Sequence, residues 1–208
     1  MAIKEIFEGV LSFDAAKVKE LTQYELDAGT EINAILNDGL IGALDVVGEK
    51  FSAGEMFVPE MLQAAKAMKA GLELLKPYLS NKSIASKGTI IIGTVKGDQH
   101  DIGKNLVAMM LEGAGFKVVD LGVDVDVDRF VKAASEYNAD VLGLSALLTT
   151  TMPVMENTVA AIKEAGLAVR TIIGGAPVTE AFADQIGADG YSADAPGAVE
   201  LARKMMAI

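Results

Sequence analysis

The sequence predicts a chain in two parts, a four-helix bundle over residues 1–80 and a five-stranded parallel α/β domain over residues 88–208. Two observations lead there. Apolar residues recur at three- and four-residue spacing from Ile3 to about Tyr78, the mark of amphipathic helices. From Gly88 onward, short apolar runs alternate with helical patterns, which is how a parallel sheet covered by helices reads. The short polar stretch 81–87 lies between the two as a linker and candidate hinge.

Composition narrows the class. The chain has 208 residues and is 51% hydrophobic, enough for a sizeable core and too apolar for disorder. No apolar run approaches the roughly 20 residues that span a bilayer, and the first residues lack the pattern of a signal peptide. With no cysteine there is neither a disulfide framework nor a thiolate metal site. A soluble cytoplasmic protein is expected. The formal charge of −11 argues against nucleic acid as a partner, because phosphate recognition rests on basic residues.

In the bundle, Ile3, Ile6, Phe7, Val10 and Leu11 mark a first helix. A second follows Asp14, turns Val18, Leu21 and Leu26 inward and stops at Gly29. Thr30 and Glu31 open a third helix, 31–50, which buries Ile32, Ile35, Leu36, Leu40, Leu44 and Val47. Its glycines, Gly39, Gly42 and Gly48, suit close packing against a flat neighbour. Pro59 sits near the start of the fourth helix. In the second part, strands are predicted at 89–95, 117–120, 141–145, 168–173 and 190–191. Helices are predicted at 102–114, 127–136, 152–164, 178–182 and 196–206. Five strands in this length suit the flavodoxin-like, Rossmann-like order, whose ligands bind where the first and third strands end.

The first strand ends in Gly97-Asp98-Gln99-His100-Asp101-Ile102-Gly103, and His100 is the only histidine of the chain. Residues two apart in an extended segment point the same way, so Asp98 can reach one ring nitrogen and leave the other facing outward. That is what a metal-ligating histidine needs. A lone histidine is also a common surface or core residue, and that reading stays open. A phosphate loop fits poorly, since five residues separate Gly97 from Gly103-Lys104 and Asn105 replaces the hydroxyl residue. A protein-only zinc site fits poorly too, lacking ligands. The other strand ends offer Ser145 to Thr151, Gly174-Gly175-Ala176-Pro177, and Tyr191-Ser192-Ala193. Asp124-Val125-Asp126-Val127-Asp128 looks like a calcium loop, but Arg129 stands where glycine is needed, so a solvated loop is expected.

Asp98-x-His100-x-x-Gly103, Ser145-x-Leu147 and Gly174-Gly175 together resemble the signature of cobalamin-binding domains. The string Val95 to Asn105 is similar to the cobalamin module of methionine synthase, and Gly48 to Pro59 to its helical cap. In size and in Leu144 to Pro153 the chain most resembles the stand-alone corrinoid proteins of methanol, methylamine, betaine and methoxyaromatic methyltransferase systems.

The resemblance implies a cobalamin or related corrinoid, cycling between methylcob(III)alamin and cob(I)alamin, bound base-off with His100 as lower ligand of cobalt. It implies that Asp98 is the hydrogen-bond partner of His100, and that Thr151 stands where a serine completes the relay in methionine synthase. Gly97, Gln99, Asp101 and Ile102 fall within the binding motif. Ser145, Leu147 and Thr149 would line a tunnel for the displaced base, with Gly103, Gly174 and Gly175 giving room and Tyr191, Ala193 and Ala195 on its far wall. In the cap, Phe51, Val58, Met61 and Leu62 would shield the methyl-bearing face, with Asn37 near the corrin edge. Bundle core is the competing reading for Met61 and Leu62. The implied role is a methyl carrier, a subunit that is not an enzyme by itself. Its implied partners are a substrate-specific corrinoid methyltransferase, a second methyltransferase to tetrahydrofolate or coenzyme M, and a reductive activase. Alternatives are the cobalamin subunit of an isomerase or a cobalamin-dependent sensor.

Overall fold

The computed structural model describes residues 2–79 and 87–207 and divides into two compact units, Met1–Ala85 with Gly113–Gly115, and Ser86–Glu112 with Phe116–Ile208. Of the linker 81–87, all but Lys87 lies outside the described residues. Among the described residues, no helix is long and apolar enough to cross a membrane.

The first unit contains α1 (Ala2–Leu11), α2 (Ala15–Asp27), α3 (Ile32–Ala34), a π-helical stretch (Ile35–Ile41), α4 (Gly42–Ser52) and α5 (Val58–Leu79). Asp14 caps α2 by accepting the Lys17 N–H at 2.9 Å. The third predicted helix is a single run with an interruption that hydrophobic spacing does not reveal. Between α3 and α4 the ladder widens, and the Gly42 N–H reaches the Asn37 carbonyl. A Cβ at Gly39 would stand 3.2 Å from Ile6 Cγ2, so this glycine answers close packing against α1.

The start of this run also differs from expectation. Glu31 makes no capping bond, and the Thr30 hydroxyl donates to Glu25 instead. Glu25 accepts the Ala2 N–H as well, at 3.1 Å, and so serves one of the donors that the first turn of α1 leaves without an intrahelical partner. The buried face of α2 therefore consists of Val18, Thr22 and Glu25, while Leu21 and Leu26 are only half-buried. Thr22 has a buried hydroxyl with no hydrogen-bond partner among the described residues. Thr22→Val should therefore stabilise the protein by about 1 kcal/mol, read as a higher urea midpoint at unchanged slope.

The second unit alternates β1 (Thr89–Thr94), α6 (Ile102–Gly113), β2 (Lys117–Asp120), α7 (Val127–Glu136), β3 (Val141–Ser145), α8 (Met152–Glu164), β4 (Arg170–Gly174), α9 (Glu180–Ile186), β5 (Gly190–Tyr191) and α10 (Ala195–Met205). The sheet is parallel throughout, in the order β2-β1-β3-β4-β5. This is the flavodoxin-like order expected from the sequence. Phe130, Ile91, Leu142, Met155 and Ile162 fill its core. Several boundaries move, most of them by one residue, and α9 runs on to Ile186 rather than 182. The fourth strand starts at Arg170 rather than 168, and α9 begins after Thr179, whose hydroxyl caps it by accepting the Phe182 N–H.

Register brings the site together. Thr94 pairs with Ser145, and Ser145 with Gly174, so β1, β3 and β4 end level. The loops that follow them open on the same edge of the sheet.

Candidate functional site

The loop after β1 is organised around one buried carboxylate. Asp98 is fully buried, and its two oxygens face five hydrogen-bond donors. Oδ1 accepts from the His100 N–H at 3.1 Å and lies 2.6 Å from His100 Nδ1. Oδ2 accepts from the N–H groups of Leu147 and Leu148, at 2.7 and 3.2 Å, and faces the Thr151 hydroxyl at 2.9 Å. Thr151 is the N-cap residue of α8 but makes no capping bond, which leaves its hydroxyl for this contact. That hydroxyl also lies 2.8 Å from the Leu148 carbonyl, and its single proton serves one acceptor at a time.

Burial by itself would raise the Asp98 carboxyl. The Leu147 N–H, the His100 ring and N–H, and the Thr151 hydroxyl outweigh it and hold the group far below the usual carboxylate range. Asp98 is therefore an anion that only accepts, and Nδ1 must carry a proton to meet it at 2.6 Å. In the neutral imidazole this places the lone pair on Nε2, on the opposite edge of a ring that is half exposed. The arrangement is that of a histidine prepared to bind a metal through Nε2.

Other predicted residues fall around it. Gln99, Asp101 and Ile102 are exposed, and Asp101 accepts the Asn105 side-chain amide at 3.0 Å in the first turn of α6. Ile102, Leu147 and Leu148 are large apolar side chains left open to solvent, Ile102 by 74%. Ser145 ends β3, Thr149 is exposed, Tyr191 ends β5, Ala193 is exposed, and Ala195 is buried at the start of α10. In the first unit Phe51 and Leu62 are half-buried, Val58 is 41% exposed, and Met61 is buried. Asn37 is exposed and lies on the π-helical stretch.

The three glycines expected to make room for a ligand divide into two kinds. A Cβ on Gly174 would lie 2.8 Å from the Ser192 carbonyl oxygen, and one on Gly175 only 1.8 Å from that of Ala146. Both clash with the chain's own backbone, whether or not a ligand is bound. At Gly103 a Cβ would meet nothing within 4 Å. There the protein leaves open space at the start of α6, three residues beyond His100.

Among the contacts at this site that the sequence analysis missed are those of Thr94 and Lys104. Thr94, fully buried, donates its hydroxyl to the His100 carbonyl at 2.9 Å. Lys104 is buried in α6 with its ammonium 2.6 and 2.7 Å from the Asp120 oxygens at the end of β2, and 2.6 Å from Asn105 Oδ1. A threonine in a strand and a lysine in a helix carry no sequence signal of such partners.

Comparison with known proteins identifies the family. The B12 binding domain family matches residues 88–200, and a second family of the same description matches residues 2–76. The chain belongs to the B12-binding corrinoid proteins. It is 41% identical to a corrinoid protein of Desulfitobacterium hafniense (strain Y51), over 98% of this chain and 97% of that one. Dimethylamine corrinoid protein 1 of Methanosarcina acetivorans is 48% identical over 83% of each chain. Among solved structures, a chain of the methanol:cobalamin methyltransferase complex from Methanosarcina barkeri is 30% identical with a TM-score of 0.88, covering 99% of this chain and 79% of that one. In a corrinoid protein, the half-exposed His100 ring, the open space at Gly103 and the exposed Ile102, Leu147 and Leu148 suit a large, partly apolar cofactor.

Proposed function

We propose that this corrinoid protein carries a methyl group on cobalamin bound base-off, with His100 Nε2 as the lower axial ligand of cobalt. The observation that carries the reading is the 2.6 Å contact between Asp98 Oδ1 and His100 Nδ1. It holds the proton on the inner nitrogen and leaves the outer one as a donor of its lone pair. When bound, the corrinoid supplies a cobalt that accepts and releases methyl groups. The protein's residues do the rest.

Asp98 sets how strongly the ring donates, because a carboxylate hydrogen-bonded to Nδ1 raises the basicity of Nε2. Thr151 shares its proton between Asp98 and the Leu148 carbonyl, and so links that setting to the loop after β3. Ser145, Leu147 and Thr149 would line the path of the displaced base, with the backbone at Gly103 leaving space and Tyr191, Ala193 and Ala195 beyond. Gly97, Gln99, Asp101 and Ile102 complete the loop around the ligand. Gly174 and Gly175 keep the loop after β4 close to its neighbours. Phe51, Val58, Met61 and Leu62 would keep water from the methyl-bearing face, with Asn37 near the corrin edge.

The names of the relatives support a methyltransferase partner, and the carrier role would add a second. The donor side would be a substrate-specific corrinoid methyltransferase, as in the methanol:cobalamin complex, and the acceptor side an enzyme using tetrahydrofolate or coenzyme M. A reductive activase would restore oxidised cobalt. The setting would be the cytoplasm.

The test is an absorption spectrum after reconstitution with methylcobalamin and desalting, for wild type and His100→Ala. Wild type should retain corrinoid with its own base displaced and a spectrum that depends on His100. His100→Ala should give the spectrum of base-off cofactor without imidazole. Identical spectra for the two proteins would remove His100 from cobalt.

A further inference from the structure

The acid-rich segment between β2 and α7 is more than a solvated connection. Beyond the end of β2 the chain continues to bond along β1. Leu121 donates its N–H to the Ile92 carbonyl at 2.8 Å, Thr94 donates to Gly122 at 2.9 Å, and Val125 donates to Thr94 at 3.0 Å. This ladder delivers Asp124 to the loop that carries His100. Its carboxylate Oδ1 accepts the Gly97 N–H at 2.8 Å, and its own N–H is donated to the Asp98 carbonyl at 3.0 Å. One residue thus holds two consecutive members of the loop, Gly97 and Asp98.

The conformations on both sides are special. Asp124 has φ +55 and Gly97 has φ +83. A left-handed backbone is sparsely populated by residues other than glycine, though aspartate and asparagine tolerate it best. Asp126 performs the ordinary task of this segment by capping α7 at Arg129. Asp124 instead grips the loop that carries His100.

We propose that Asp124 is a positioning residue for the cobalt ligand. By fixing Gly97 and the backbone of Asp98, it aims the Asp98 carboxylate at His100 Nδ1. This rests on the reading of His100 as axial ligand. It assigns to the β2–α7 segment a part in setting how firmly imidazole is held.

Two substitutions separate this role from a purely structural one. Asp124→Asn keeps an acceptor oxygen and tolerates the left-handed backbone. Asp124→Gly accepts that backbone with ease but removes the acceptor. Wild type, both variants and His100→Ala would be reconstituted with cob(II)alamin, and the nitrogen hyperfine splitting from axial imidazole read by electron paramagnetic resonance. Thermal unfolding of the corrinoid-free proteins would be followed alongside. Asp124→Gly should unfold near the wild-type temperature, yet its ratio of histidine-ligated to histidine-free cofactor should fall about tenfold, the scale of one hydrogen bond to a charged group. Asp124→Asn should keep most of the wild-type ratio.

A wild-type ratio in folded Asp124→Gly would overturn the proposal, as would equal losses in the Asn and Gly variants. Should Asp124→Gly not fold, Asp124→Glu gives the same reading, because it keeps the charge and displaces the acceptor. A loss of ligation there supports the role, and an unchanged ratio overturns it. If wild type and His100→Ala show the same spectrum, the axial-ligand reading falls and this inference with it.

Discussion

Gly175→Ala should destabilise the protein by more than about 3 kcal/mol and leave little folded material in urea titrations. The added methyl would stand 1.8 Å from the Ala146 carbonyl oxygen, and 2.9 and 3.2 Å from the carbon and nitrogen of the same residue. These are backbone atoms at the end of β3, held by the sheet, and they cannot move aside as a side-chain tip does. The residue also has φ +131, where a Cβ is strained regardless of space. Gly103→Ala should behave in the opposite way. It lies inside α6 with nothing within 4 Å of its Cβ position, so alanine should leave corrinoid-free stability unchanged or raise it by up to about 1 kcal/mol. Its effect should appear only on loading, as weaker retention of cobalamin after desalting. Equal stability losses at the two positions would show that the open space at Gly103 is not available to a ligand.

Asp98→Ala should lower stability by about 2–4 kcal/mol and also abolish wild-type histidine ligation. Its five donors come from His100, Leu147, Leu148 and Thr151, so removing the acceptor leaves a cluster of N–H groups facing one another. Thr151 alone has a second acceptor ready, in the Leu148 carbonyl. Asp98→Asn should repair only part of the loss, since its amide NH2 must point at donors wherever the oxygen is placed. The same carboxylate predicts an acid limb. Its folded pKa is depressed, so its stabilisation is fully present above the ordinary aspartate value of about 3.9 and fades as pH falls through and below it. Stability measured by urea from pH 7 down to pH 3 should fall more steeply in wild type than in Asp98→Asn. Parallel curves would mean that Asp98 is not the anion its hydrogen bonds imply.

Much of this was legible in the residues. The change of period near Gly88 separates bundle from sheet, because helices and strands bury apolar residues at different spacings. The alternation of elements implied the parallel sheet and its order. Asp98 and His100, two apart on an extended loop, could be paired from spacing alone. Other features were hidden because they depend on distant chain segments. The π-helical stretch at Ile35–Ile41 keeps its apolar residues on one side, so the hydrophobic pattern passes through it unchanged. Nothing in the sequence around Glu25 signals its burial, which depends on donors from α1 and Thr30.

The sequence by itself determined the two-part architecture, the sheet order and the histidine loop with its aspartate. Those follow from periodicity and from contacts a few residues apart. Only the tertiary structure decided which groups surround Asp98, which glycines answer the protein and which leave space, and that Asp124 belongs to the His100 loop. Each of these joins residues far apart in the chain, such as Asp98 to Leu147 and Gly97 to Asp124. Such contacts exist only once the register of β1, β3 and β4 has brought their ends level, and no local pattern of residue types encodes that register.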